Sequence, residues 1–335
     1  MKRMNLMNGK KWMMALAIPA LMFSTTSCEE EDDNNNNGGN GSTEMSTFNY
    51  AFNNGEVGAG TAYNGNHMDN LTADLEVVED GANAEITVTL TNTIDGQMYP
   101  VHAHDAADPS TTPNGTPYNE TPNNDVLVMM IEGNGGTASM TYTTNGFSYS
   151  DIVNDYAGFF VVHDPLQPVN TADISTYLIV GSFARDQGTP ASYQSETYTY
   201  NFNTGQVDPG FAYNGSHPND LTAELTVKEL ANNEARVSVV LSNTIAGETY
   251  MVHSHDQADP NTTPNGTPYD ETPNANVMVK MAMGNGGSVH VAQTSTLSYG
   301  ELTTNYDAFF VVHDPLQPIT TVDPTTYVIL GVFAQ

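Results

Sequence analysis

A ten-residue phrase occurs twice in this chain. Phe159-Phe160-Val161-Val162-His163-Asp164-Pro165-Leu166-Gln167-Pro168 returns letter for letter as Phe309 to Pro318. Other islands return with it. Residues 47–53 (TFNYAFN) match 197–203 (TYTYNFN), Ala62–Gly65 match Ala212–Gly215, and Thr112–Tyr118 match Thr263–Tyr269. The period, about 150 residues, is that of a whole domain and far too long for a solenoid turn. The chain therefore reads as two tandem copies, residues 47–185 and 197–335. A polar linker at 186–196, containing Gly188 and Pro190, joins them.

Within each copy the apolar residues alternate. Phe48, Tyr50 and Phe52 do so, then Leu71, Ala73, Leu75 and Val77, then Ile86, Val88 and Leu90. A period of two is that of a half-buried strand. Further strand-like runs cover 97–104, 125–131, 137–143, 157–163 and 176–183. Turn signals such as Asp80-Gly81, Asp95-Gly96 and Asn145-Gly146 separate the runs. No amphipathic helix stands out. Seven or eight short strands in a copy predict an all-β fold, two tandem antiparallel Greek-key β-sandwiches. The segment 105–124, with Pro109, Pro113, Pro117 and Pro122, is expected to be an ordered excursion across one sheet edge.

The histidines fall into this frame. His102-x-His104 and His253-x-His255 lie on strand-like runs, so each pair projects from one face. His163 and His313 close the repeated Phe-Phe-Val-Val-His phrase, just before a proline that ends the strand. Two imidazoles on one strand and a third on a neighbour suit a three-nitrogen metal site, for copper or zinc, one per repeat. The competing reading has the same histidines bonding loop carbonyls and pinning the long loop. His67 and His217, each after Tyr-Asn-Gly-x, stand between a fourth ligand and a turn histidine. Binding needs neutral imidazole and is expected to fade as pH falls through ~6.5. Asp105, Asp108, Glu120 and Asp164, with Asp256, Asp259, Asp270, Glu271 and Asp314, lie near these histidines in sequence, but without the spacing of a calcium loop.

The N-terminus carries an address. Lys2, Arg3, Lys10 and Lys11 precede the apolar stretch Trp12–Phe23, which is too short to span a bilayer. Ser24-Thr25-Thr26-Ser27 lead to Cys28, the one cysteine of the chain, which excludes an internal disulfide. This junction resembles the lipobox of bacterial lipoproteins. The resemblance implies a signal peptide at 1–27, lipidation of Cys28 and anchoring at the outer membrane. Glu29 to Asp33 resemble the surface-export signal of Bacteroidetes-type lipoproteins, which implies the cell surface. Residues 28–46, acidic and then rich in Asn and Gly, read as a flexible tether reaching roughly 25 Å.

The charge balance narrows the partners. The full chain has 8 basic and 39 acidic side chains, a formal charge of −31. Loss of residues 1–27 removes four basic groups and no acidic one, which leaves 4 against 39, or −35. Such a surface disfavours nucleic acid and anionic lipid and favours cations.

Taken in order, a glycine-rich opening strand, a hairpin, His-x-His on a central strand, a long loop, Val-Val-His and a closing strand at 327–334 resemble the chordin-type (CHRD) domain. More distantly they are similar to the Cu/Zn superoxide dismutase sandwich. By that likeness His102, His104 and His163, and likewise His253, His255 and His313, match three of four copper ligands. The bridging and zinc-site histidines, the disulfide and an anion-steering arginine of the dismutase have no match here, which argues against superoxide chemistry. No Ser-His-Asp set, phosphate-cradling glycine loop or acid pair for glycoside hydrolysis can be singled out. Two function classes remain. One is a surface-tethered module for copper, zinc or an extracellular protein or polysaccharide, with a metal-free adhesion or scaffold variant. The other is a copper redox enzyme.

Overall fold

The computed structural model describes residues 43–187 and 192–335; the signal sequence, Cys28 and most of the tether lie outside this range. The first repeat has eight strands: β1 (Met45–Tyr50), β2 (Thr72–Asp80), β3 (Asn83–Thr91), β4 (Met98–Asp105), β5 (Val128–Glu132), β6 (Ala138–Thr143), β7 (Gly158–His163) and β8 (Tyr177–Ser182). The second repeats them as β9 (Ser195–Tyr200), β10 (Thr222–Glu229), β11 (Ala235–Ser242), β12 (Thr249–Asp256), β13 (Val279–Met283), β14 (Val289–Ser295), β15 (Ala308–His313) and β16 (Tyr327–Val332). The helical segments among the described residues are 3-10 or π turns of three to five residues. The fold is all-β.

Each repeat pairs its strands into two four-stranded antiparallel sheets, ordered β1-β2-β3-β6 and β5-β4-β7-β8 in the first and equivalently in the second. The chain changes sheet between β3 and β4 and again between β5, β6 and β7, the crossing pattern of a Greek-key sandwich. The alternating residues supply the core between the sheets. Leu71, Ala73, Leu75, Val77, Ile86, Val88 and Leu90 are all fully buried there, with Tyr99, Val101, Phe160 and Val162 from the opposite sheet. Burial of each large side chain stabilises the fold by about 1.5–3 kcal/mol before chain entropy is set against it.

Two boundaries shift. Met45 and Ser46, expected in the tether, already pair with Val78 and Val77 as part of β1. Asp186 and Gln187, expected in the linker, cap the β1 end: Asn49 and Ala51 donate their N–H groups to the two side chains at 3.1 and 2.8 Å.

The two sandwiches form one compact unit, Thr43–Gln335, rather than independent beads. Its seam is polar and specific. Arg236 on β11, 1% exposed, donates from its guanidinium to the carbonyls of Tyr63 (2.9 Å), Gly65 (2.7 Å) and His67 (3.2 Å) and lies over the Tyr63 ring at 5.0 Å. A planar fork with several donors suits a cluster of carbonyls, which a lysine would fill less completely. His290 reaches the Asn66 carbonyl at 2.8 Å, Thr294 donates its hydroxyl to the Tyr63 carbonyl at 3.1 Å, and Lys228 pairs with Asp69 at 2.9 Å. The turn they grip is shaped by Gly65, where any Cβ would meet the Tyr63 hydroxyl and the Gln167 amide at 2.2 Å.

Candidate metal centre

Strand β4 turns Tyr99 and Val101 into the sandwich core, so His102 and His104 face the other side of their sheet. That outer face is covered. Tyr118 from the long loop, with Val161, Ile174, Tyr177 and Val180, forms a second small core over β4, β7 and β8. The 105–124 excursion thus crosses a sheet face, not an edge as expected, because Tyr118 has an apolar and aromatic bed to fill there. It closes on itself through a bridge between Ala106 and Tyr118. Tyr118 packs at 4.8 Å against His104 and donates its hydroxyl to the Thr171 carbonyl at 3.1 Å.

His163 joins the pair from β7, where Val161 sits opposite His102 and alternation returns His163 to the same face. The pairing of β7 with β8 slips between Val162 and His163, so that Tyr177, rather than Leu178, comes opposite His163. This bulge re-aims the strand end. Tyr177 then meets the imidazole edge-on at 4.3 Å. Candidate ligand atoms of His102, His104 and His163 lie within 4.8 Å of one another, all three side chains buried.

The hydrogen bonds define which nitrogens are free. His104 Nδ1 lies 2.7 Å from the Asn119 carbonyl, which only accepts, so Nδ1 carries the proton and Nε2 keeps its lone pair. His104 Nε2, His102 Nδ1 and His163 Nε2 are buried without a hydrogen-bond partner among the described residues. A buried polar atom left so costs roughly 1–3 kcal/mol, and three in one place call for an occupant. The two ring nitrogens of His104 thus differ in their surroundings. One pins the loop and the other points into the triad.

The second repeat copies this arrangement. His255 Nδ1 bonds the Asp270 carbonyl at 2.7 Å, and His253 and His313 stack at 4.8 Å. His253 Nδ1 and Nε2, His255 Nε2 and His313 Nε2 are likewise buried and unpartnered among the described residues. The rings lie as close together as in the first set, with the His255 and His313 centroids 4.6 and 4.8 Å from that of His253.

Burial keeps these imidazoles neutral. It pushes His102 and His163 down to about 3, with their sister histidines adding to the effect, and His253 and His313 to about 2 and about 4. His104 and His255 are lowered by burial against the raising effect of their carbonyl bonds. Proton competition for the triads therefore begins well below the ~6.5 expected of a free histidine. The cause is the covering loop.

His67 and His217 are not brought to the triads. His67 lies on the core side, its Nδ1 donating to the Met68 carbonyl at 2.7 Å and its Nε2 accepting from the Tyr99 hydroxyl at 2.9 Å. Both nitrogens are used and no lone pair is left. His217 does the same with Pro218 and Tyr250. The nearby carboxylates are also occupied structurally. Asp105 accepts from Asn123 and Tyr156, and Asp108 caps Ser110. Asp164 accepts from Tyr63, Leu166 and Gln167. They form no oxygen cage for calcium. Asp164 ties the strand end beside His163 to the turn that Arg236 grips, a link the sequence showed only as a shared Tyr-Asn-Gly island.

No family model matches the chain, and no curated protein does. Among solved structures, the crystal structure of red sea bream transglutaminase aligns at 7% identity with a TM-score of 0.17, over 72% of this chain and 28% of that one. The chain thus spans under a third of that protein's length, and a likeness of this size carries no argument about function.

Proposed function

We propose that the chain is an exported, lipid-anchored module that binds copper or zinc through His102, His104 and His163, with a second site at His253, His255 and His313. One observation carries this reading: three buried imidazole nitrogens without partners among the described residues, their candidate ligand atoms all within 4.8 Å of one another. Imidazole suits copper and zinc, and three such ligands leave a coordination position open. The acidic surface supports a cation. Of the four basic side chains after residue 27, Arg236 is buried, Lys228 is paired, Arg185 donates to the Val153 and Ala184 carbonyls, and Lys280 is half-buried on β13. The order of elements and the placing of His-x-His on a central strand support assigning each repeat to the chordin-type domains. The role is binding, with delivery or display of the ion at the cell surface. Cys28 and the acidic residues after it support that location.

Titration of the purified chain with zinc(II) and copper(II), followed by metal analysis after dialysis, tests the reading. Two ions per chain are expected. Binding of neither at micromolar metal would make the triads purely structural, and the protein a scaffold or adhesion module. Cys28→Ser should move the protein out of the membrane fraction.

A further inference from the structure

The outer face that carries each triad does not end at the histidines. On β4 it continues outward from His102 to Pro100 and Met98; on β5 the facing residues are Val128, Met130 and Glu132. Met130 stands opposite Pro100, one rung from His102, and Met98 opposite Glu132, two rungs away. In the second repeat the same rungs hold Met251 opposite Met281 and Met283 opposite Thr249. Each repeat thus places methionine on both rungs beside its triad, although the last rung draws it from opposite strands: β4 in one, β13 in the other. Cross-strand Cβ atoms lie about 5 Å apart and successive rungs roughly 7 Å apart, within the span of flexible thioether side chains.

These methionines are not core. Met98 is 43% exposed, Met130 47%, Met281 64% and Met283 71%. At the inner end of each row stands a buried histidine whose Nδ1 has no partner among the described residues, His102 or His253. Thioether sulfur is a soft, neutral ligand that selects copper(I), while zinc(II) and copper(II) favour the imidazoles. An acidic surface raises the local concentration of any cation.

We infer that the two methionine rows are capture sites for copper(I), handing the ion to the histidine triad at their inner end. The inference rests on the metal-binding reading of the triads and adds the oxidation state of the ion and its route of entry. Met98 and Met130 serve the first repeat, and Met251, Met281 and Met283 the second. An apolar protein partner is the competing use of an exposed methionine surface, and leucine separates the two. Leucine keeps the apolar surface and removes the sulfur.

The test compares the full chain with a variant carrying leucine at all five positions. Both are titrated anaerobically with copper(I) held by a chromophoric chelator, and separately with zinc(II). Copper(I) on the wild type should show sulfur scattering by X-ray absorption. The variant should lose that shell and take copper(I) from the chelator roughly 10–100-fold less well, the range for groups that support a metal site. Its zinc binding should be unchanged. If the wild type binds zinc but its copper(I) shows no sulfur, or the variant captures copper(I) equally well, the methionine rows are not a metal path and the triad reading stands. If the wild type binds neither metal, both fall together.

Discussion

The two repeats differ most on the outer surface of the β1-β2-β3-β6 sheet and its counterpart. Glu85 on β3 is exposed, and the equivalent residue in the second repeat is Arg236, fully buried in the seam. The same sheet position is solvated surface in one copy and the main anchor in the other. The site region behaves oppositely. Triad, loop bond, bulge and tyrosine neighbour are the same in both. Duplication kept the histidine face and changed the faces by which one copy grips the other. The seam is one-sided as a result. The Tyr63–His67 turn of the first repeat is held by the second repeat, while among the described residues the equivalent Tyr213–His217 turn bonds within its own repeat, to Asp314, Gln317, Thr325 and Tyr250.

The largest effect to be expected treats both copies alike and would show whether the triads are equivalent. The folded pKa of each triad histidine lies below its unfolded value, so the unfolded chain binds more protons below pH ~6.5. The stability present above that pH is lost as pH falls toward the folded values. Each such histidine costs about 1.4 kcal/mol per pH unit in that window. Metal-free protein should therefore unfold several kcal/mol more easily at pH 5.5 than at pH 7.5 in urea titrations. A flat profile would mean that the imidazoles already carry protons or solvent in the native state. A single triad replaced by apolar residues should halve the slope if the copies are equal.

Arg236→Ala tests the asymmetry of the seam. It strands the Gly65 and His67 carbonyls, at roughly 1–3 kcal/mol each. The expected loss is thus about 2–6 kcal/mol, with thermal unfolding splitting into two transitions as the sandwiches uncouple. Glu85→Ala at the matching site should stay within about 0.5 kcal/mol, as for other exposed positions. Equal effects would remove the distinction.

His163→Ala should lower the metal content from two ions to one, and His313→Ala likewise. Because the rings of the two triads are equally close, the two single-site proteins should hold their remaining ion against a chelator about equally well. A His163→Ala protein that still holds two ions would place binding elsewhere.

The smallest difference concerns the covering tyrosines. The Tyr118 hydroxyl has two partners in reach, the Thr171 carbonyl at 3.1 Å and the Tyr177 hydroxyl at 3.0 Å, whereas among the described residues Tyr269 reaches only Tyr327, at 3.3 Å. Tyr118→Phe should cost about 1 kcal/mol, and Tyr269→Phe about half of that. The reverse ranking in a thermal melt would show that the two loops are held differently from the bonds described.

The local pattern of the chain was enough to specify the strands and the pairing of His102 with His104. A period of two along a strand is a local property, and proline and glycine mark where each run must stop. The copying of one phrase was enough to predict that the strands and histidine face of one repeat return in the other. Three matters were decided only in three dimensions. Alternation says that two histidines share a face, but not whether that face looks into the core or outward. The answer depended on Tyr99 and Val101 finding the larger apolar bed. The third ligand and its tyrosine neighbour depend on a bulge between β7 and β8, a choice of register between strands that neither strand encodes alone. Arg236 reads in sequence as one more charged residue on an amphipathic strand. Its burial comes from carbonyls that lie about 170 residues earlier in the chain, in a turn whose shape no local rule connects to it.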